Sequence, residues 1–569
     1  MKDARYREMC AYEKEQTGSW LPLITMGWLV LNLIQASFTE LFHDEAYYWT
    51  WSLFPAWGYA EHPPMIAWSI WLGRQIFEGE LGVRLIPVFL GTGTFYLVVR
   101  MLGLQRPLDQ ILLLGGVVGM QIVGFLAVPD SPYVFFVTLF LWQYRKFLQD
   151  DSWRNALMLA LVIAGMLYSK YHGMMVLGMV LLSNLKLLEQ KKFWAIIGMV
   201  AVLLIPLLHW LIDQEFATFR FHLGSRVLKD SDWTFFTNYL GGQIGITGPL
   251  LGLLILPAAF LIKPLDQFER SLKFIVVGVL AFLFLMNFRT WVEANWSAGA
   301  LVPAIILAGR QVGGFPAWKK WLIRLGWPSL VLMLVFRLYL MVDFITPIAG
   351  GSVFKDEFHG WDEWALEVQQ KADGHPVLFY RSYQYPSKYW FYAGERAYTV
   401  PGFFYHRSQY HYFGQEEIEG KDVFFISSSP LPGLNDSWEA DMVRRSYYTG
   451  MMEDFHGYSQ VEIAFEGPDP MIKSGRLGLS VNVNNPYPTP IGGDGTDLTL
   501  GLHIHQNGRW KVHQQVLTAL PVVPEKGSRV VPIHYDLDLP PGEYKIRVSL
   551  LKGPYCFGSY TKWTAFEAE

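Results

Sequence analysis

The sequence predicts a polytopic α-helical membrane protein carrying a C-terminal soluble α/β unit and a β-sandwich. Three observations predict it. Of the 569 residues, 51% are hydrophobic and only 17% charged, against about 25% charged in a soluble domain. Long apolar runs crowd the first 345 positions, and a bilayer-crossing helix needs about 20 such residues. Beyond residue 350 these runs give way to short strand-like stretches divided by Pro, Gly and Asn turns.

The first run, Trp20 to Leu41, follows a charged 19-residue segment. That segment lacks a small-residue cleavage site, the pattern of a retained signal-anchor. Further runs fall at 82–102, 108–128, 132–147, 155–170, 172–187, 193–212, 242–262, 272–288, 297–314 and 322–345. With the first they predict about 11 transmembrane helices. A cytoplasmic N-terminus then gives inner loops holding Arg100, Arg106, Arg145, Lys146, Arg154, Lys186, Lys191, Lys192, Lys263, Arg270, Lys273, Arg310, Lys319, Lys320 and Arg324. That agrees with the positive-inside rule and sends the first loop and the C-terminal region outside.

The expected domains are a transmembrane domain over 1–349, an extracytoplasmic α/β domain over 350–455 and a β-sandwich over 456–569. In the second, 361–372 reads as an amphipathic helix, and Pro376 to Tyr380 and Asp422 to Ser427 read as buried strands. In the third, strands are expected at 460–465, 477–482, 498–504, 510–513, 529–533 and 544–550. Cys10 and Cys556 are the two cysteines. The topology puts them on opposite sides, which excludes a disulfide within the chain. A net charge of −4 and the lack of a basic tract give no reason to expect nucleic acid. No P-loop, Rossmann glycine pattern or zinc spacing occurs.

The residues with the most chemistry follow the first run. Asp44 to Met65 holds adjacent acids, Asp44 and Glu45, a Tyr/Trp belt, and then Glu61-His62-Pro63-Pro64. Aromatics favour that depth in any membrane protein, but adjacent acids beside lipid are costly without a role. Other unusual motifs are Gly82-Val83-Arg84, Pro129-Asp130-Ser131-Pro132, Ser169-Lys170-Tyr171-His172, the Phe219 to Arg226 stretch with His222, and Glu293-Ala294-Asn295-Trp296. All are expected at outer ends or outer loops, and convergence on one face is what a site at the leaflet surface requires.

On these motifs, over about residues 20 to 345, the chain resembles the GT-C glycosyltransferases. The nearest resemblance is to the bacterial glycosyltransferase family 39 group, related to protein O-mannosyltransferases and aminoarabinose transferases. Gly58-Tyr59-Ala60-Glu61-His62-Pro63-Pro64 resembles that group's loop run, with Glu61 where Asp is commoner. The resemblance implies an inverting enzyme moving a sugar from a polyprenyl-phosphate carrier to a hydroxyl of a lipid, glycan or protein. It implies residence in the bacterial inner membrane, with the site and C-terminal domains periplasmic. It picks Asp44 as catalytic base, with Glu45 and Asp130 as further catalytic residues. The charge of Glu45 is expected to discourage full ionisation of its neighbour. Arg84, Lys170 and Arg226 are expected at the donor phosphate. Tyr59, Glu61, His62, Tyr171, His172, His222, Glu293 and Asn295 are expected at the substrates. No cofactor is expected. His62, His172 and His222 offer a divalent metal an alternative site with Asp44, but their spacing is scattered. The aromatic run Arg381 to Tyr389 reads as a sugar-facing loop. A lipid or polyprenyl-sugar transporter is the alternative. It calls for charges deep in the bundle and paired inverted halves, and the sequence shows neither pattern.

Overall fold

In the computed structural model each apolar run named above is built on one or two helices among the described residues. The structure describes residues 20–104, 106–220, 233–288, 290–344, 357–400, 402, 408–473, 476–506, 509–536 and 539–568. Among these, three helices are individually long and apolar enough to cross a bilayer: Leu21–Phe38, Gly79–Leu102 and Pro316–Met341. Three more candidates are bent pairs, which raises the number to 6. Pro107–Gly115 turns 84° into Val118–Phe125, Lys191–Leu203 turns 49° into Ile205–Asp213, and Trp233–Thr247 turns 98° into Gly252–Leu261. The breaks have local causes. Pro206 opens the second half of one pair, and Gly248 breaks another at φ 104°. The remaining apolar helices are shorter or more polar, so the expected count of about eleven spans rests on them.

Helix direction gathers the site. Asp130–Gln149 is followed after three residues by Trp153–Ser169, with the Ser152 hydroxyl capping the second helix through the Asn155 N–H. The chain therefore leaves and returns, and Asp130 and Lys170 meet at one end. The cations of the predicted inner loops gather elsewhere. Arg145 stacks over Phe268 at 5.6 Å, Arg310 pairs with Glu269, and Lys319 Nζ lies 2.8 Å from Asp109 Oδ2. Large apolar side chains stand exposed on Pro316–Met341, among them Val331, Leu332, Val335 and Phe336, as a lipid-facing surface requires.

The stretch expected as one loop after the first helix contains two helices, His43–Ser52 and Met65–Arg74, joined by residues 53–64. Pro64 precedes the second, where a missing N–H costs nothing. Gly58 is required by packing: a Cβ there would lie 2.4 Å from the Trp210 ring. Gly82 is required in the same way, since its Cβ would lie 2.1 Å from the Phe77 carbonyl oxygen.

The chain separates into two compact units at His359 and Gly360. The second holds a sheet ordered β2-β1-β3-β5-β4, with β1 Val377–Tyr380, β2 Tyr398–Val400, β3 Val423–Ser427, β4 Asp436–Ala440 and β5 Arg445–Met452. β1 runs parallel to both neighbours and, like β3, is buried throughout. That explains its unbroken apolar sequence. Helix Trp361–Ala372 packs Trp361 and Trp364 into this core. The run expected as a sugar-facing loop is largely helix Gln384–Ala393, whose Lys388 and Tyr389 are fully buried. This corrects the surface reading.

The sandwich strands are β6 Glu462–Lys473, β7 Arg476–Asn485, β8 Leu498–Gln506, β9 Arg509–Ala519, β10 Gly527–Asp536, β11 Gly542–Lys552, β12 Tyr555–Tyr560 and β13 Thr564–Ala568. They form sheets β10-β7-β6 and β12-β11-β8-β9, with β13 paired to β11. Val481, Val483, Leu500, Leu502, Ile546 and Val548 share one core. The alternation in sequence found six of these strands, while β12 and β13 escaped it.

Candidate active site

At the start of helix His43–Ser52 the Phe42 N–H donates to Glu45 Oε2 at 2.9 Å. Adjacent residues on a helix point about 100° apart, so the two neighbouring acids separate. Glu45 turns inward and is fully buried. Arg84 Nε lies 2.8 Å from its Oε1 and Nη2 lies 2.6 Å from its Oε2. The Ala127 N–H donates to Oε1 at 2.7 Å. The rest of the Arg84 guanidinium donates to the carbonyls of Ala36 at 3.2 Å, Glu40 at 2.8 Å and Thr39. The pair ties together the end of Leu21–Phe38, the start of the next helix, Gly79–Leu102 and residue 127. This corrects two expectations. Arg84 presents no face to a donor phosphate, and Glu45 is a clamp, with both oxygens engaged, in place of a catalytic carboxylate.

Asp44 instead lines a cavity of about 380 Å³, together with Tyr48, His62, Asp130 and Asn295. The rest of the wall is mostly apolar, including Ile122, Leu301, Met333, Phe336 and Leu340. Asp130 opens its helix but does not cap it with its side chain, contrary to the simplest reading of an Asp in a first turn. Its Oδ1 accepts from Lys170 Nζ at 2.7 Å and its Oδ2 from Asn295 Nδ2 at 2.9 Å. Lys170 is 2% exposed, so its ammonium holds Asp130. Lys170 was expected at the donor phosphate, and here its charge is met by Asp130. The phenol of Tyr48 is pushed well above its usual range by burial first, then by the charges of Asp44, Glu61 and Asp130. Three carboxylates thus act on one phenol. Glu61 accepts hydrogen bonds from Tyr47 Oη at 2.9 and 3.1 Å, and burial pushes its carboxyl up to about 8.

Of the other expected substrate residues, Tyr59 is fully buried and stacked on Trp51 at 4.7 Å. Its hydroxyl accepts from the Ala56 N–H and faces the Trp51 and Phe54 carbonyls. It braces the loop, which corrects the substrate-contact expectation. Tyr171 packs against Phe219 at 5.3 Å and His172 against Trp296 at 5.5 Å, both outside the cavity lining. Glu293 is exposed. His222 and Arg226 lie outside the described residues. Among the described residues no group of three or more His, Cys, Asp or Glu stands together to hold a metal ion.

The model of the dolichyl-phosphate-mannose-protein mannosyltransferase family matches residues 61–210. Over 344 residues the chain is 24% identical to the lipid A galacturonosyltransferase RgtD of Rhizobium johnstonii, covering 54% of this chain and 66% of that protein. The crystal structure of ArnT from Cupriavidus metallidurans bound to undecaprenyl phosphate superposes with a TM-score of 0.54 at 14% identity. That match covers 76% of this chain and 98% of ArnT. The chain is similar to these glycosyltransferases and spans just under two thirds of the length of RgtD, and the likeness to ArnT shows its fold. Among the cavity residues that sequence reading missed are Tyr48 and Arg337. Tyr48 was hidden in an aromatic belt of ordinary interfacial type. Arg337 had a signal, since a lone Arg inside VLMLVFRLYLM is an intramembrane charge.

Proposed function

We propose that the chain transfers a sugar from a polyprenyl-phosphate carrier to a hydroxyl of a lipid acceptor at the extracytoplasmic face of the membrane. The observation that carries this reading is the cavity itself. It pairs an apolar wall, suited to a lipid carrier, with Asp44 and the Lys170–Asp130–Asn295 network at its polar side. The two relatives, one bound to undecaprenyl phosphate and one a lipid A galacturonosyltransferase, support the carrier and the lipid acceptor.

The chemistry follows from the groups present. The acceptor hydroxyl oxygen attacks the anomeric carbon and its proton passes to the Asp44 carboxylate. The bond between the anomeric carbon and the phosphate oxygen breaks, and polyprenyl phosphate leaves as the anion. Attack opposite the leaving group inverts the anomeric centre. Phosphate leaves without a strong acid, so one general base suffices. Asp130, with each oxygen already accepting a hydrogen bond, is placed to position substrate. Transfer of label from a polyprenyl-phosphate sugar to a lipid acceptor by the purified chain tests the reaction. Absence of any carrier-sugar turnover in a folded protein refutes it.

The orientation has a separate test. Cys556 is fully buried, so the natural cysteine does not report topology. Val530 is 46% exposed on β10, and Val530→Cys supplies a reporter. Impermeant thiol reagents on intact spheroplasts are expected to label it. Protection of Val530→Cys until the membrane is opened places the C-terminal unit in the cytoplasm.

A further inference from the structure

Arg337 stands four residues before the end of Pro316–Met341, roughly 6 Å along the helix axis at 1.5 Å per residue. It is 3% exposed. Its Nε donates to Gln121 Oε1 and its Nη2 to Asn32 Oδ1, each at 2.6 Å. Both amides are held in the accepting sense. Gln121 Nε2 donates to the Gly115 carbonyl at 2.5 Å, and Asn32 Nδ2 donates to the Trp28 carbonyl at 2.9 Å. The rings of Phe125 and Trp28 lie 5.3 and 5.8 Å from the guanidinium carbon. Nη1 is buried without a hydrogen-bond partner among the described residues. The same residue lines the cavity that holds Asp44 and Asp130.

The other buried Lys and Arg side chains of the first unit differ. Arg84 and Lys170 each have a carboxylate partner, whereas Arg337 has neutral amides and aromatic faces. Amides supply hydrogen bonds and rings supply quadrupole attraction, but neither supplies a counter-charge. A guanidinium without one is costly at membrane depth, and a buried donor without an acceptor adds its desolvation penalty. The amides fix one edge of the fork and leave Nη1 unmatched on a residue that lines the cavity. A planar guanidinium with a preorganised free edge is suited to a carboxylate or phosphate oxygen.

We propose that Arg337 binds an oxyanion of the donor inside the cavity, through Nη1. The shared chemistry is an anionic oxygen, from the carrier phosphate or from a carboxylate on the transferred sugar. This rests on the glycosyl-transfer reading above and names a donor contact for it.

The full chain in lipid nanodiscs is titrated with undecaprenyl phosphate and, as the uncharged control, undecaprenol. Wild type, Arg337→Gln and Arg337→Lys are compared. Turnover is followed in parallel for undecaprenyl-phosphate donors carrying a neutral hexose or the matching uronic acid. A phosphate contact shows as a loss of about tenfold or more in undecaprenyl phosphate affinity in Arg337→Gln, with undecaprenol unchanged. A sugar-carboxylate contact shows as unchanged undecaprenyl phosphate affinity and a KM raised about tenfold or more for the uronosyl donor alone. Unchanged affinity and KM in a variant with wild-type thermal unfolding overturn the proposal. So does unchanged undecaprenyl phosphate affinity when the wild type accepts only the neutral donor. If Arg337→Gln does not fold, Arg337→Lys, which keeps the charge and loses the fork, carries the same comparison. A wild type that neither binds undecaprenyl phosphate nor uses any donor refutes the transfer reading. Asp44→Asn that binds undecaprenyl phosphate without turnover upholds that reading independently of Arg337.

Discussion

Two buried ion pairs stand near helix ends in the first unit, and they serve opposite purposes. Glu45–Arg84 has no exposed side-chain surface on either partner, and its groups close on each other and on backbone. Asp130–Lys170 keeps a small exposure, 9% on the acid and 3% on the base. Its second carboxylate oxygen reaches Asn295 at the cavity edge. The chemistry of the groups is alike, and access to the cavity separates a clamp from a site. Asp44 and Glu45 repeat the contrast between adjacent residues. A buried pair whose every hydrogen bond is met contributes order, and removing one partner leaves a charge the interior cannot solvate.

The comparison breaks most sharply at Asp44. Asp44→Asn keeps shape and removes basicity, so turnover of carrier-linked sugar is expected to fall about 10²- to 10⁴-fold, with insertion and thermal unfolding unchanged. Wild-type turnover by that variant, with loss in Asp130→Asn, would move the base to the second pair. Arg84→Met attacks the clamp. Stranding Glu45 is expected to cost about 3–5 kcal/mol of stability, read as a lower unfolding temperature and poor recovery from the membrane. A stable Arg84→Met with weakened undecaprenyl phosphate binding would instead return Arg84 to the phosphate.

Asn295→Ala sharpens the second pair without breaking it. Losing one hydrogen bond to a charged group costs about 1.5–3 kcal/mol, so kcat/KM is expected to drop about 10- to 150-fold while stability holds. Equal kinetics would make Asn295 incidental to the site. Glu61 gives the effect that depends on pH. Its carboxyl lies at about 8 in the folded chain against 4.5 for the free group. The unfolded chain therefore releases the proton first, and stability falls as pH rises from about 4.5 to about 8, then levels. Unfolding temperatures across that range should decline less for Glu61→Gln than for wild type. A parallel decline in both would mean that Glu61 is ionised in the fold.

Much of this protein follows from the sequence by itself. A backbone in lipid must satisfy its own hydrogen bonds, so each apolar run from Trp20 to Met341 had to become helix, whole or broken. Period-two alternation between Gly and Pro turns had to become strands, and six of the sandwich strands were read that way. The motif residues Asp44, His62, Asp130 and Asn295 were also legible, since polar groups at helix ends are unusual in so apolar a chain, and the structure brings them to one cavity. What the sequence left open is who partners whom. Arg84 reaches Glu45 across 39 residues, and Ala127 reaches the same carboxylate across 82. Those contacts turned an expected phosphate ligand and an expected catalytic acid into a clamp. Tyr59 became a brace for the same reason, and the bend between the helices ending at Gly115 and starting at Val118 helped set Gln121 beside Arg337. Local pattern reports whether a residue is costly to bury. Only packing between distant segments decides whether that cost is met by the protein or left for a ligand.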